Sequence, residues 1–432
     1  MKPLLIISCP IDTFSGYGGR ARDIVKSLLK SERYEVKILS QRWGNTPFGF
    51  LKSDNPEHKQ MLDCILKDPQ LPKQPDVWIQ LTVPNEFQAV GKFNIGMTAG
   101  IETTVCDAGW IEGLNRMDLN LVSSNHAKTV FLQSRFEKRN SKTQQLESII
   151  ELTKPVEVLF EGVDTNIYKK IDKFESKELF DQLNNIEEKF NYLFTGHWLQ
   201  GELGQDRKDV GMLIKTFLET FKGKTTKPGL ILKTQSATSS IMDRDEMLSK
   251  IQAIRIAVGG DNLPNVYLLH GEFKDEEINE LYNHPKVKAF VSFTKGEGYG
   301  RPLLESSISQ KPVLASNWSG QLDYLSPDMS ILLPGTVNQI HSSAVVANML
   351  LPESGWFTVD YKKASQILEE VYKKYDKFID KAKKQSYRSR TEFSLDKMGE
   401  LLLSILDKNA PKPLELKLPT LKKIELPTLN KK

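Results

Sequence analysis

The feature that most constrains the fold is the alternation of short aliphatic runs with amphipathic stretches along 432 residues. In the first half strands are expected at Leu4–Ser8, Tyr34–Leu39, Val77–Thr82, Asn94–Thr98, Leu119–Ser123 and Val156–Leu159. In the second half they are expected at Tyr192–Thr195, Leu230–Thr234, Val266–His270, Ala289–Phe293, Val313–Ser316 and Ile331–Leu333. Helical stretches such as Ala21–Lys30 and Val210–Phe221 separate most of them. Strands alternating with helices read as parallel sheets covered on both faces. The pattern breaks at Asp164–Phe190, which is charged, helix-prone and poor in aliphatic runs, and then resumes. That break suits a linker, and the length exceeds one compact core. The expected fold class is therefore α/β, with two doubly wound domains over 1–165 and 166–384. An amphipathic stretch at about 385–408 is expected to return to the first domain, followed by a tail over 409–432. Ligands of such sheets lie at the C-terminal ends of the strands.

Composition excludes several classes. Hydrophobic content of 39% and charged content of 26% are ordinary for a globular protein. No run of 18 apolar residues occurs, so no membrane-spanning helix is expected. Met1–Ser8 has too short an apolar run for a signal peptide and reads as the first strand. Cys9, Cys64 and Cys106 are widely spaced, which suits reduced thiols in a cytoplasm. The formal charge of +4 resides in the tail, where six Lys face two Glu, so the body is neutral. The tail repeats Leu-Pro-Thr-Leu at 418–421 and 426–429, and Pro411, Pro413, Pro419 and Pro427 exclude a continuous helix. Disorder and docking on a protein partner through 411–432 are both open readings. One basic cluster, Lys128, Arg135, Lys138, Arg139 and Lys142, reads either as a solvated helix face or as a contact for a DNA backbone.

The chemistry concentrates in Lys295-Gly-Glu297-Gly298-Tyr299-Gly300-Arg301-Pro302-Leu-Leu-Glu305, directly after a strand. Three glycines in five positions allow close backbone approach to a ligand. Pro302 suits a first helical turn, and a strand, turn and helix N-terminus together form a phosphate site. Carboxylates beside that site repel phosphate, so Glu297 and Glu305 are suited to sugar hydroxyls.

This motif, followed by Lys311-Pro-Val-Leu-Ala-Ser316 and Gly320, resembles the C-terminal half of the retaining glycosyltransferase family 4 enzymes, of GT-B fold. The resemblance implies two Rossmann-like domains facing a cleft and a nucleotide-sugar co-substrate, here expected to be UDP-linked. It assigns Glu297 to the donor sugar, Glu305 to the ribose, and the backbone of Gly298–Arg301 to the diphosphate, with Gly320 near the donor. Ser15-Gly16-Tyr17-Gly18-Gly19-Arg20 is similar to the family's N-terminal glycine loop, which faces the diphosphate. Phe194-Thr-Gly196 followed by Arg207-Lys208 looks like the start of its second domain, where basic groups neutralise the leaving diphosphate. His197 stands where an arginine often follows the glycine. Val158–Tyr168 looks like the family's hinge signature. Gly100-Ile-Glu102-Thr-Thr104 resembles a branch with a glutamate after the fourth strand, on the acceptor side; a structural glutamate is the competing reading. The histidine common near this point in other branches is missing. His126 lies beyond the next strand and reads as a surface or core histidine.

The family relation implies no metal. Asp243-Arg-Asp245 could hold one in another glycosyltransferase fold, but it lies in a polar helical stretch, away from any strand end, and reads as chance. Gly16-x-Gly18 with Ala21 in place of a third glycine argues against a dinucleotide oxidoreductase. A non-catalytic nucleotide-binding module stays open. The glycine loops look like those of glycosyltransferases carried by large tailed bacteriophages. Hydroxymethylated cytosine in DNA is accordingly the first acceptor expected, within a host cytoplasm, ahead of a saccharide or envelope glycan.

Overall fold

Six parallel strands form each of two sheets in the computed structural model, which describes residues 2–411 except 69, 72, 199, 237 and 238. The first sheet uses β1 (Leu4–Cys9), β2 (Glu35–Ser40), β3 (Val77–Leu81), β4 (Phe93–Thr98) and β5 (Leu119–Val122). After an antiparallel hairpin of β6 (Phe136–Arg139) and β7 (Leu146–Ile150), β8 (Val156–Val158) completes it. The order is β2-β1-β3-β4-β5-β8. Its helices are α1 (Gly16–Ser31), α2 (Pro56–Cys64), α3 (Ala108–Leu114) and α4 (Asn125–Gln133). The strands read as solid aliphatic runs because helices cover both faces; every residue of β1 is buried.

After α5 (Lys177–Asn184), the second sheet takes β9 (Asn191–Thr195), β10 (Gly229–Lys233), β11 (Val266–Leu269), β12 (Val287–Ser292), β13 (Val313–Ser316) and β14 (Ile331–Leu333). Its order is β11-β10-β9-β12-β13-β14, so the strand order reverses between β9 and β12. Helices α6 (Val210–Phe221), α7 (Ile241–Val258), α8 (Asp275–Asn283) and α9 (Arg301–Ser307) connect these strands. A second antiparallel hairpin, β15 (Gly335–Gln339) with β16 (Gly355–Val359), rises beyond the C-terminal end of β14. Three helices follow: α10 (Tyr361–Lys373), α11 (Asp376–Glu392) and α12 (Leu395–Asn409).

The chain crosses between the sheets twice, and the crossings run side by side. The Val163 amide donates to Phe393, and the Leu395 amide donates to Val163, at 2.9 and 2.8 Å. From there Met398, Leu402 and Leu406 of α12 enter the apolar core around Ile7, Ile24 and Leu28.

Three expectations need correction. Residues 128–142 are not one helix face: α4 stops at Gln133, and Lys138 and Arg139 lie in β6. Charged residues on both faces of an exposed strand hide its period from the sequence. The segment 164–190 is more than a linker, because Leu179 and Leu183 of α5 are buried against the second sheet. The β15–β16 hairpin breaks the strand–helix alternation and was not anticipated. Residues 412–432, with both Leu-Pro-Thr-Leu copies, lie outside the described residues. Among the described residues no helix is long and apolar enough to cross a membrane.

Candidate active site

Open α/β sheets bind ligands where the strand order reverses. In the second sheet that point lies between β9 and β12. The loop after β9 carries Arg207 and Lys208, and the loop after β12 carries Glu297. Lys208 Nζ donates to Glu297 Oε1 at 2.5 Å, and Arg207 reaches Glu297 Oε2 at 3.2 Å. Arg207 also donates to the Gly296 carbonyl at 2.9 Å and lies 3.7 Å from Glu102, which follows β4 of the first sheet. Two cations and two carboxylates thus alternate across the junction of the two sheets. Burial alone would raise the Glu297 carboxyl, but Lys208 and Arg207 outweigh it and hold it at about 2. Glu297 is therefore ionised at any working pH.

Glu305 behaves oppositely. Burial lifts it to about 7 against the pull of Arg301, whose Nε lies 3.4 Å away. Arg301 also crosses between the domains to Asp23 of α1 at 2.6 Å. Other contacts join the same faces. Ser123 Oγ donates to the Gly298 carbonyl at 3.0 Å, and the Asn125 amide donates to Asp323 at 2.9 Å. The Thr104 amide donates to Gly355 at 2.9 Å, and the Gly355 amide returns to Thr104 Oγ1 at 2.8 Å.

The glycine loops divide by role. Gly18 is needed for packing, since a Cβ there would lie 2.4 Å from the Thr13 carbonyl. Its amide is taken by Ser15 Oγ, and the Gly19 amide by the Ser15 carbonyl, both at 2.9 Å. The two amides expected to face a diphosphate are thus already engaged, whereas those of Gly16 and Tyr17 precede the first intrahelical bonds. Gly300 caps α9 with a φ of 93°. Gly320 packs on the Gly298 carbonyl. Tyr299 is 2% exposed and belongs to the core beneath the loop.

Two further expectations change. His126 is neither a plain surface nor a core residue: its ring meets Trp318 of the second domain edge-on at 4.7 Å, and burial pulls it down to about 4 despite a bond with the Thr103 backbone. Asp243 is near strand ends after all, since it accepts from His270 after β11 at 2.7 Å and from Ser236 after β10. Among the described residues no group of three or more His, Cys, Asp or Glu could hold a metal. Sequence reasoning missed Asp23 and the buried pair Lys295–Asp209, 3.3 Å apart, under the Glu297 loop. Lys295 stood in the quoted motif, but only the fold shows that it points away from Glu297's partners.

No protein-family model matches the chain, and no curated protein gives a significant match. Solved structures do match. Sucrose-phosphate synthase from Thermosynechococcus elongatus superposes with a TM-score of 0.61 at 12% identity, over 94% of this chain and 99% of that one. A glycosyltransferase from Rickettsia africae ESF-5 gives 0.61 at 12%, over 94% and 98%. The fold is GT-B. Anabaena HepE, solved with UDP and glucose, agrees at a TM-score of 0.57 and 13% identity, over 94% and 100%. At such identities the likeness carries the GT-B architecture alone.

Proposed function

We propose that this GT-B protein is a retaining, nucleotide-sugar-dependent glycosyltransferase. The observation that carries the reading is the Lys208–Glu297–Arg207 cluster at the strand-order reversal of the second sheet, faced by Glu102 from the first. A nucleoside diphosphate arriving there meets two cations already gathered and partly desolvated, which suits charge developing on a leaving group. In this reading the bond from the sugar's anomeric carbon to the diphosphate breaks, and a bond to the acceptor oxygen forms on the same face. The acceptor proton passes to a donor phosphate oxygen. Lys208 and Arg207 stabilise the departing diphosphate without a metal ion, Glu297 faces the cationic sugar, and Glu305 accepts from the ribose. A UDP-linked donor is favoured by HepE, whose structure holds UDP and glucose in the same architecture.

For the acceptor, the geometry favours a saccharide over hydroxymethylcytosine in DNA. The N-terminus of α4 meets Asp323 at the junction, whereas the basic hairpin follows its other end, about 12 Å away for nine residues. There Arg139 pairs with Glu137 and Arg135 with Glu151. The deciding experiment is nucleotide release from UDP- and GDP-sugars with neutral oligosaccharides or hydroxymethylcytosine DNA added. Release stimulated by a saccharide, with sugar transferred to it, is expected. Stimulation by the modified DNA alone would return the acceptor to DNA. No turnover with any donor would leave a nucleotide-binding module.

The Glu305 assignment has a pH signature. A carboxylate accepts ribose hydrogen bonds only when ionised, so binding favours the deprotonated form. UDP affinity is expected to be full above about pH 7 and to fall, by up to tenfold per unit, as pH drops below that. Glu305→Gln should remove this component, leaving only the titration of UDP itself; calorimetry from pH 5.5 to 8.5 compares the two.

A further inference from the structure

A recess of about 670 Å³ opens beside the reaction centre, between the loop after β9 and the β15–β16 hairpin. Its volume lies within the range of small-ligand sites. One wall is Leu203–Gln205, whose loop continues directly into Arg207 and Lys208. The opposite wall is the hairpin, fixed at both sides of the junction. Its Phe357 amide donates to the Lys295 carbonyl at 2.9 Å, and Gly355 is held by Thr104, two residues beyond Glu102. Both walls of the recess are therefore segments tied to the centre, one through Arg207 and Lys208 and the other through Lys295 and Thr104.

The lining is polar and carries no carboxylate, ammonium or guanidinium; its imidazole, His341, is turned to Ser343, whose amide donates to Nδ1 at 3.2 Å. Gln205, Asn338, Gln339 and Ser342 supply amides and a hydroxyl, against the aromatic wall of Trp356. Among the described residues, Asn338 Oδ1 and Gln339 Oε1 accept no hydrogen bond, and the Gln205 side-chain amide makes none. No Lys or Arg lines it. The nearest buried cation, Lys295, is spent beneath the floor on Asp209 at 3.3 Å and Thr358 Oγ1 at 3.2 Å. Because the ammonium donates to the Thr358 oxygen, the Thr358 hydroxyl proton is left to donate outward. Tyr361, also on the floor, is locked by its bond to Asp209 at 2.7 Å. Amide and hydroxyl donors and acceptors with an aromatic wall match a polyhydroxylated neutral ligand; an anion would find no lysine or arginine.

We infer that this recess is a saccharide subsite holding a neutral sugar unit of the acceptor next to the one that receives the transferred sugar. The inference rests on the glycosyltransferase reading. Its test uses the full chain loaded with UDP and the trisaccharides maltotriose, cellotriose and chitotriose, observed by saturation-transfer NMR. At least one trisaccharide is expected to bind, and Gln205→Ala and Asn338→Ala should each weaken it about tenfold while leaving UDP affinity unchanged. Both positions lie at the protein surface away from the packed core, and unchanged UDP binding shows that the variants fold. Trisaccharide binding that neither substitution alters, or UDP binding with no trisaccharide bound, overturns the subsite. Failure of the wild type to bind either UDP or GDP would overturn the glycosyltransferase reading itself, an outcome visible before any sugar is added.

Discussion

Glu297→Gln is expected to lower kcat by about 10² to 10³ while UDP binds as tightly as before or more so. The two effects differ in sign because Glu297 plays two parts. In the free protein it neutralises Lys208 and Arg207, so a diphosphate must compete with it for both cations. Glutamine keeps the shape and removes the charge, so the competition ends and the ground-state complex gains. During transfer, however, the sugar ring becomes cationic, and the carboxylate held at about 2 is the negative group on that side. An interaction made mainly in the transition state lowers kcat without raising KM when it is lost. The variant should also be less stable by about 1–3 kcal/mol, since two largely buried cations lose their shared partner. Single-turnover kinetics with a cognate donor, alongside UDP calorimetry, separate these effects. Turnover within tenfold of wild type, or clearly weakened UDP binding, would remove Glu297 from its assigned role.

All twelve parallel strands were legible, the central ones such as β1, β3 and β12 because strands buried on both faces are rich in β-branched and aliphatic residues, which are conspicuous in a chain with 26% charged residues. The hairpins were not. In β6 the run Phe136-Glu-Lys-Arg139 buries almost nothing, and the partners β15 and β16 are separated by fifteen residues. Which loops carry the candidate site followed from strand ends and glycines. How the side chains in those loops point did not. Arg301 was assigned to a phosphate loop, but its ion pair with Asp23 spans 278 positions, and no local pattern encodes that meeting. Tyr299 and Gly18 stood in the same glycine loops, yet their surroundings are set by packing against Tyr324 and Thr13.

Gly296→Ala tests whether the observed approach of the two domains is the reacting arrangement. A Cβ on Gly296 would lie 2.0 Å from the Glu102 carbonyl oxygen and 2.9 Å from the Trp318 ring. The first clash is with backbone, so no rotamer change relieves it and one loop must retreat. Retreat withdraws Glu102 from Arg207 and disturbs the Gly296 carbonyl that Arg207 holds at 2.9 Å. A displacement of about 1 Å at a reacting centre costs about a hundredfold in rate, and that is the expected loss in kcat/KM. Lys208 and the strands of the second sheet keep their places, so UDP affinity should fall far less than kcat/KM, and the circular dichroism spectrum should stay close to wild type. Gly19→Ala supplies the control. It sits at the same junction, but its Cβ would meet nothing nearer than the Arg301 guanidinium at 3.5 Å, an ordinary contact. It should keep activity within about threefold. If Gly296→Ala were as active as Gly19→Ala, transfer would have to occur in a more open arrangement, and Glu102 would be too far from Arg207 to share in it.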